Sequence, residues 1–196
     1  MPRWRPDGKQ LVFAGEPDGA MTRIQLPGAP DLDPVDLAWS ADGKRLFFSA
    51  GNKGEEHLFS WTPGSGADAV AVTKGARAVR NADRNEAAGL MAYTATGTDS
   101  LEDLYVSRLD GSGEKRLTNV NAELWEQLQF SPLERLRFKA SDGLELDGFF
   151  LKPLGWKPGQ QYPLVLSIHG GPASMYGVSW NHEFQVYAAR ASASMS

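Results

Sequence analysis

Three histidines, several serines and one Gly-Gly turn hold most of the chemistry that the chain can do. Acyl transfer by a side-chain nucleophile needs a hydroxyl or thiol, a base within hydrogen-bond reach, and a third group that orients the base. The chain has no cysteine, so thiolate catalysis, disulfides and cysteine-based zinc sites are excluded. Of the histidines, His57 falls in a strand-like run and His182 in a helical stretch, where a solvated face is its expected place. Neither has a candidate nucleophile in a suitable context. Gly64-Ser65-Gly66 and Gly111-Ser112-Gly113 place serines between glycines, but in turns and without the Gly-x-Ser-x-Gly spacing of a nucleophile elbow. Asp31, Asp33 and Asp36 are spaced too loosely around Pro34 for a calcium loop. Asp99, Glu102 and Asp103 fall at a hairpin. Both acidic groups are expected to be solvated loop charge, and no metal or cofactor site is expected.

The third histidine, His169, stands in the stretch that organises the rest. Pro163-Leu164-Val165-Leu166-Ser167-Ile168 is a short apolar run that ends in His169-Gly170-Gly171-Pro172. Such a run, bounded by turn residues, predicts a strand buried on both faces of a parallel sheet. The glycines let the backbone leave the strand sharply and leave room for a ligand to approach. A His-Gly-Gly turn in that place matches the turn that supplies an oxyanion-hole N–H in α/β-hydrolases.

The elements upstream form a different pattern. Trp4-Arg5-Pro6-Asp7-Gly8-Lys9-Gln10-Leu11-Val12-Phe13 recurs as Trp39-Ser40-Ala41-Asp42-Gly43-Lys44-Arg45-Leu46-Phe47-Phe48. Leu58-Phe59-Ser60-Trp61, closing at Val72-Thr73, recurs as Leu104-Tyr105-Val106-Ser107, closing at Leu117-Thr118. Asp-Gly between apolar strands is a hairpin signal. Four short strands in a repeat of roughly 40 residues predict β-propeller blades. A partial blade is expected at 4–28, a full one at 35–75 and a degenerate one at 79–118. Leu11, Phe13, Leu46, Phe48, Met91 and Tyr93 are the expected core between them. Asn121 at an N-cap position, with Leu124 and Leu128 four apart, predicts a short helix that Ser131-Pro132 stops. A last helix is expected over about 179–190, with Trp180, Phe184, Tyr187 and Ala188 on its buried side.

Three stretches together carry a family resemblance: "FKASDGLELDGFFLKP" from Phe138, "YPLVLSIHGGP" from Tyr162 and "FQVYAAR" from Phe184. They resemble the entry to the hydrolase domain of prolyl oligopeptidase family serine peptidases, in the acylaminoacyl-peptidase-like branch. The resemblance implies a serine peptidase acting on short or N-acylated peptides, with a propeller that restricts access. It implies that the Gly171 N–H is an oxyanion donor and that His169 supports the oxyanion loop. Several relatives carry a Tyr where His169 stands, so its hydroxyl is absent here. The family's serine elbow, acid and final histidine would lie beyond Arg190, where the likeness ends, so the Ser-Asp-His triad is absent from this chain. The tail Ala191-Ser192-Ala193-Ser194-Met195-Ser196 is expected to have no structure of its own, as a truncated or frame-shifted end.

The expected fold class is therefore mostly β with an α/β C-terminal part: partial β-propeller blades at 1–120, a linker helix at 121–133, and the truncated start of an α/β-hydrolase domain at 134–196. A net charge of −4 argues against a nucleic-acid partner. No run approaches a membrane span, and no signal peptide is visible, so a cytoplasmic place is expected. A peptide substrate is the expected partner of the complete protein. Uncovered blade faces and strand edges make a homo-oligomer an expected state. Two other functions fit parts of the pattern: a non-enzymatic β-propeller protein-binding module, and an esterase of the same fold.

Overall fold

The computed structural model describes residues 2–13, 32, 34–171, 174–190 and 193–195. It is mostly β-sheet. The chain divides into two compact units, one of residues 1–95 and 103–118, the other of residues 96–102 and 119–196.

In the first unit, β1 (Arg3–Trp4) and β2 (Leu11–Val12) form a small antiparallel pair. β3 (Val35–Trp39), β4 (Leu46–Asn52), β5 (Glu55–Trp61) and β6 (Val70–Ala71) form an antiparallel meander. β7 (Arg77–Asn85), β8 (Leu90–Gly97), β9 (Ser100–Arg108) and β10 (Lys115–Arg116) follow in hydrogen-bonded order as a second set of four. The parallel pairing Glu56↔Ala78 joins the two sets, and Arg80 grips Glu56 across it with two hydrogen bonds of 2.6 and 2.5 Å. Of the partial blade expected at 4–28, only β1 and β2 fall among the described residues.

Local chemistry explains the turns. In the turns around Asp7-Gly8, Asp42-Gly43 and Asp142-Gly143 the same two bonds recur. The glycine N–H donates to the carbonyl three residues back, Arg5, Ser40 or Ala140. The aspartate Oδ1 accepts from the N–H two residues on, that of Lys9, Lys44 or Leu144, at 3.0 Å each. This is the Asx-turn geometry that makes Asp a turn former.

Strand parity decides the core. Leu46, Phe48 and Ala50 of β4 point to one face with Leu37 and Phe59. Phe48 and Phe59 are cross-strand partners with stacked rings 5.5 Å apart. Leu58, the next residue along β5, points the other way, into a cluster with Val72, Val79, Met91, Tyr93 and Ala95. β5 is thus buried on both faces. Leu46, Phe48, Met91 and Tyr93 are buried, but Leu11 and Phe13, also expected in the core, are 44% and 48% exposed. The period of two is the reason: in β2 it is Val12 that packs on the Leu37 cluster, which sends its neighbours outward.

The two sets of four close in the same way. The Leu58 N–H donates to the Thr73 hydroxyl and the Leu58 carbonyl accepts from Val72 N. In the second, the Leu104 N–H donates to the Thr118 hydroxyl and its carbonyl accepts from Leu117 N.

In the second unit, α1 (Ala122–Gln127) forms where expected, but Asn121 makes no side-chain cap bond, and Leu124 and Leu128 are exposed. The residue that anchors this helix is Trp125. Its ring stacks on Phe130 at 4.0 Å and its indole N–H donates to the Asp99 carbonyl at 2.6 Å. β11 (Leu133–Lys139) and β12 (Glu145–Leu151) form the hairpin around Asp142-Gly143. β13 (Leu164–Leu166) follows, then α2 (His182–Ala189) and β14 (Ala193–Met195). The sheet order is β11-β12-β14-β13.

Three expectations are corrected in this unit. The tail is not without structure: the Ala193–Met195 backbone lies between β12, antiparallel, and β13, parallel. β13 is not buried on both faces: Leu164 and Leu166 are 56% and 58% exposed, and Ile168 is 79% exposed. Among the described residues β13 has one strand neighbour and lies at the sheet edge, and α2 packs on β12 and β14 instead. Finally, α2 begins at His182 rather than near Ser179, because the Asn181 side chain accepts from Phe184 N and caps it there.

Two predictions follow from the first unit. Gly111 has φ of 82°, and a Cβ there would meet the Val72 carbonyl oxygen at 2.0 Å. Gly111→Ala combines left-handed strain with backbone overpacking, a cost of about 2–4 kcal/mol. The urea midpoint followed by tryptophan fluorescence should fall accordingly, and an unchanged midpoint would contradict the packing.

The second concerns pH. Arg77 donates to both oxygens of Glu114 at 2.9 and 2.5 Å, and the Tyr93 hydroxyl donates to the same carboxylate. The Arg77 hydrogen bonds, with help from Tyr93, hold the Glu114 carboxyl below its ordinary range. Burial, with Glu114 as acceptor, pushes the Tyr93 phenol up to about 12. A depressed carboxyl stabilises the fold fully above its unfolded pKa of about 4.3 and loses this as pH falls through the folded value. A raised phenol contributes fully below about pH 10 and loses this as pH climbs to about 12. Urea midpoints measured against pH should show both limbs, and Glu114→Gln should flatten the acid one.

Candidate functional site

The site is built from β13 outward. β13 makes its last pairing at Leu166, opposite Met195, and the chain then enters the Ser167–Gly171 turn. The Ser167 Oγ and the Tyr176 hydroxyl lie 2.8 Å apart and share a hydrogen bond. The Tyr176 ring packs edge-to-face on Phe184, at 5.5 Å between centroids. Phe184 is a buried residue of α2, clustered with Leu151 and Ala188.

The His169 ring is exposed. It lies edge-on to Tyr176 at 6.1 Å, and its Nδ1 is 3.0 Å from the Gly170 carbonyl. That bond requires a proton on Nδ1, which leaves Nε2 as the free ring nitrogen of the neutral form. Gly170 and Gly171 are both exposed, but they differ in what they require. A Cβ on Gly170 would meet nothing within 4 Å. Gly171 has φ of 135°, a conformation that L side chains rarely adopt. The glycine demanded by the backbone is therefore Gly171. Chemically, the turn offers exposed glycine backbone and an imidazole.

His57 is different. It is 6% exposed, with Nδ1 3.1 Å from the Thr73 hydroxyl and Nε2 3.1 Å from the Glu55 carboxylate. Hydroxyl, imidazole and carboxylate stand in the chemical order of a nucleophilic relay, which sequence reasoning did not find. Thr73 is 3% exposed, however, and its oxygen already accepts the Leu58 N–H. No substrate carbonyl can approach that oxygen. The second set of four confirms the structural role, since Asp103 stands where His57 does and accepts from the Thr118 hydroxyl at 2.6 Å.

Asp103 is also a correction. It was expected as solvated loop charge, yet it lies in β9, is buried, and pairs with Arg116. Asp31 and Asp33 lie outside the described residues, and Asp36 is exposed. Among the described residues no group of three His, Asp or Glu side chains could hold a metal ion. His182 is the exposed first residue of α2, its ring 5.7 Å from Trp180. Ser65 and Ser112 bond locally within their turns.

No family model matches the chain. It is similar to the uncharacterized peptidase YuxL of Bacillus subtilis (strain 168), with 37% identity over 97 residues, 50% of this chain and 15% of that protein. Among solved structures it resembles Pyrococcus horikoshii acylaminoacyl peptidase, with a TM-score of 0.71 and 25% identity over 84% of this chain and 25% of that one. These likenesses support a peptidase of the prolyl oligopeptidase kind, of which this chain matches only a part. The fold likeness extends to Porphyromonas gingivalis dipeptidyl peptidase 4, with a TM-score of 0.70 and 19% identity over 90% of this chain and 26% of that one.

The residues around the turn were only partly legible in the sequence. His169 and Gly171 stand out by motif. Ser167, Tyr176 and the Asn181 cap carry no spacing signal, apart from Asn181 three residues before Phe184, the ordinary N-cap offset. Gln185 was also missed. Its side chain accepts from Ser131 N at 2.9 Å and donates to Ser131 O at 3.0 Å. This reciprocal pair ties α2 to the segment that leads into β11.

Proposed function

We propose that this chain is part of a longer serine peptidase of the family, one that acts on short or N-acylated peptides. In this reading, residues 1–120 are propeller blades, with about 35–75 and about 79–118 as two of them. Residues 121–133 are a linker, and 134–196 open the α/β-hydrolase domain. The chain spans about 15% of the curated relative and about a quarter of the solved chains it resembles, so the triad is assigned to sequence outside it. Its own contribution is the Gly171 N–H, an oxyanion donor for the tetrahedral intermediate, with His169 supporting the loop. A cytoplasmic place and a peptide partner go with this reading. No helix among the described residues is long and apolar enough to cross a membrane.

One observation carries the proposal. A peptidase-family chain presents an exposed Gly-Gly turn directly after a strand with a parallel neighbour, and its second glycine holds a φ of 135°. Donors of this kind act on charge that develops in the transition state, and removing one costs roughly 3 kcal/mol in known cases.

The isolated chain should therefore hydrolyse neither peptides nor p-nitrophenyl esters above background. An oxyanion donor stabilises a charge that forms only after nucleophilic attack. Acetyl-alanyl and alanyl chromogenic substrates, with a fluorophosphonate probe, test this, and labelling of a single serine with turnover would overturn it. In the longer protein, Gly171→Val should lower kcat by about 100-fold or more and change KM little. An unchanged kcat with the fold intact would remove Gly171 from the oxyanion site. Comparing ester with amide substrates there separates peptidase from esterase.

A further inference from the structure

We infer that Tyr176 is a positioning residue: its hydroxyl, through Ser167, holds the Ser167–Gly171 turn in place. The catalytic consequence rests on the oxyanion reading above; the mechanical claim does not.

The argument begins with what the turn lacks. β13 is a three-residue edge strand whose pairing ends at Leu166. Its side chains are largely exposed, and so are His169, Gly170 and Gly171. Among the described residues, neither burial nor a strand ladder fixes the turn beyond Leu166. A glycine at φ of 135° also has the most conformational freedom to lose. A turn of this kind drifts unless something outside it holds it.

Tyr176 supplies that hold. Ser167 and Tyr176 are nine residues apart in sequence and bonded at 2.8 Å. The bond closes a loop at its base, and the loop contains His169, Gly170 and Gly171. Tyr176 is itself anchored, since its ring packs on buried Phe184. Phe184 lies on a helix that is capped by Asn181 and clamped to Ser131 through Gln185. His169 adds a second tie, lying edge-on to the Tyr176 ring while it bonds to the Gly170 carbonyl. Rigid, buried structure is thus connected to an exposed turn through one phenol, the arrangement that positions a reacting group from behind.

The test uses the chain with glycine-selective 15N labelling, which keeps the readout resolvable if copies associate. Backbone order parameters are measured at Gly170 and Gly171, with buried Gly148 of β12 as internal reference. Tyr176→Phe keeps the ring packing and removes only the hydroxyl. It should lower the order parameters at both turn glycines from about 0.85 to below about 0.6, with Gly148 unchanged. Ser167→Ala should do the same, the double variant should add nothing further, and Ser167→Thr should restore the turn. Unchanged turn glycines in Tyr176→Phe overturn the inference, as does an equal fall at Gly148. In the longer enzyme, Tyr176→Phe should cut kcat by about 10–100-fold with KM nearly unchanged. If Gly171→Val leaves kcat unchanged while Tyr176→Phe still loosens the turn, the oxyanion reading falls and the positioning inference stands.

Discussion

A backbone N–H that a short neighbouring strand cannot serve still needs an acceptor, buried at Leu58 and exposed at Leu104, and the first unit meets that need in the same way twice. β6 and β10 are only two residues long, too short to serve the whole length of β5 and β9. At Leu58 and Leu104 the missing carbonyl is replaced by a threonine hydroxyl, while the next backbone N–H back along the chain returns to the leucine carbonyl. Each leucine is satisfied on both sides by a two-residue unit, Val72-Thr73 or Leu117-Thr118. The threonine hydroxyl then needs a partner for its own proton. His57 or Asp103 supplies it from the residue before the leucine. One constraint on the backbone thus specifies three side-chain positions, and it does so twice.

The sequence shows the outer part of this device and hides the rest. The recurrence of leucine and of the closing threonine is visible as a repeat. The histidine and the aspartate are not, because they differ in type while doing the same job. A pattern search sees an isolated histidine and an acidic cluster; the three-dimensional pairing makes them equivalent. The Asp-Gly turns were legible for the opposite reason, since their bonds run between residues two and three apart. Where burial depends on distant elements, local pattern misleads. The apolar run at β13 has the composition of a doubly buried strand, yet it lies at a sheet edge while α2 packs on β12 and β14. Leu11 and Phe13 fail by parity alone, one residue on either side of the inward Val12.

The same distinction separates the two places where an imidazole sits. Composition alone ranks them alike, and bond order alone favours His57, which has a hydroxyl on one nitrogen and a carboxylate on the other. Access reverses the ranking. The Thr73 oxygen is closed to solvent and engaged by a backbone donor, so its bonds stabilise the fold and leave nothing for a substrate. At His169 the ring and the two glycines that follow are exposed, so imidazole and main chain are both open to solvent.

If the Gly171 N–H is the oxyanion donor proposed above, a site made of backbone has a physical consequence. An N–H donor cannot be tuned by pKa or by choice of rotamer; only its placement sets its strength toward a developing charge. In such a site the side chains that matter are those fixing the main chain, and they need not touch the substrate. Gly171 permits the conformation, and permission is not restraint. The restraint comes from elements folded for other reasons: the Asn181 cap, the Ser131–Gln185 pair and the burial of Phe184 and Ala188 against Leu151. Each is a stability feature of an ordinary helix. Tyr176 connects them to the turn, with an apolar ring face toward that core and a polar tip toward Ser167.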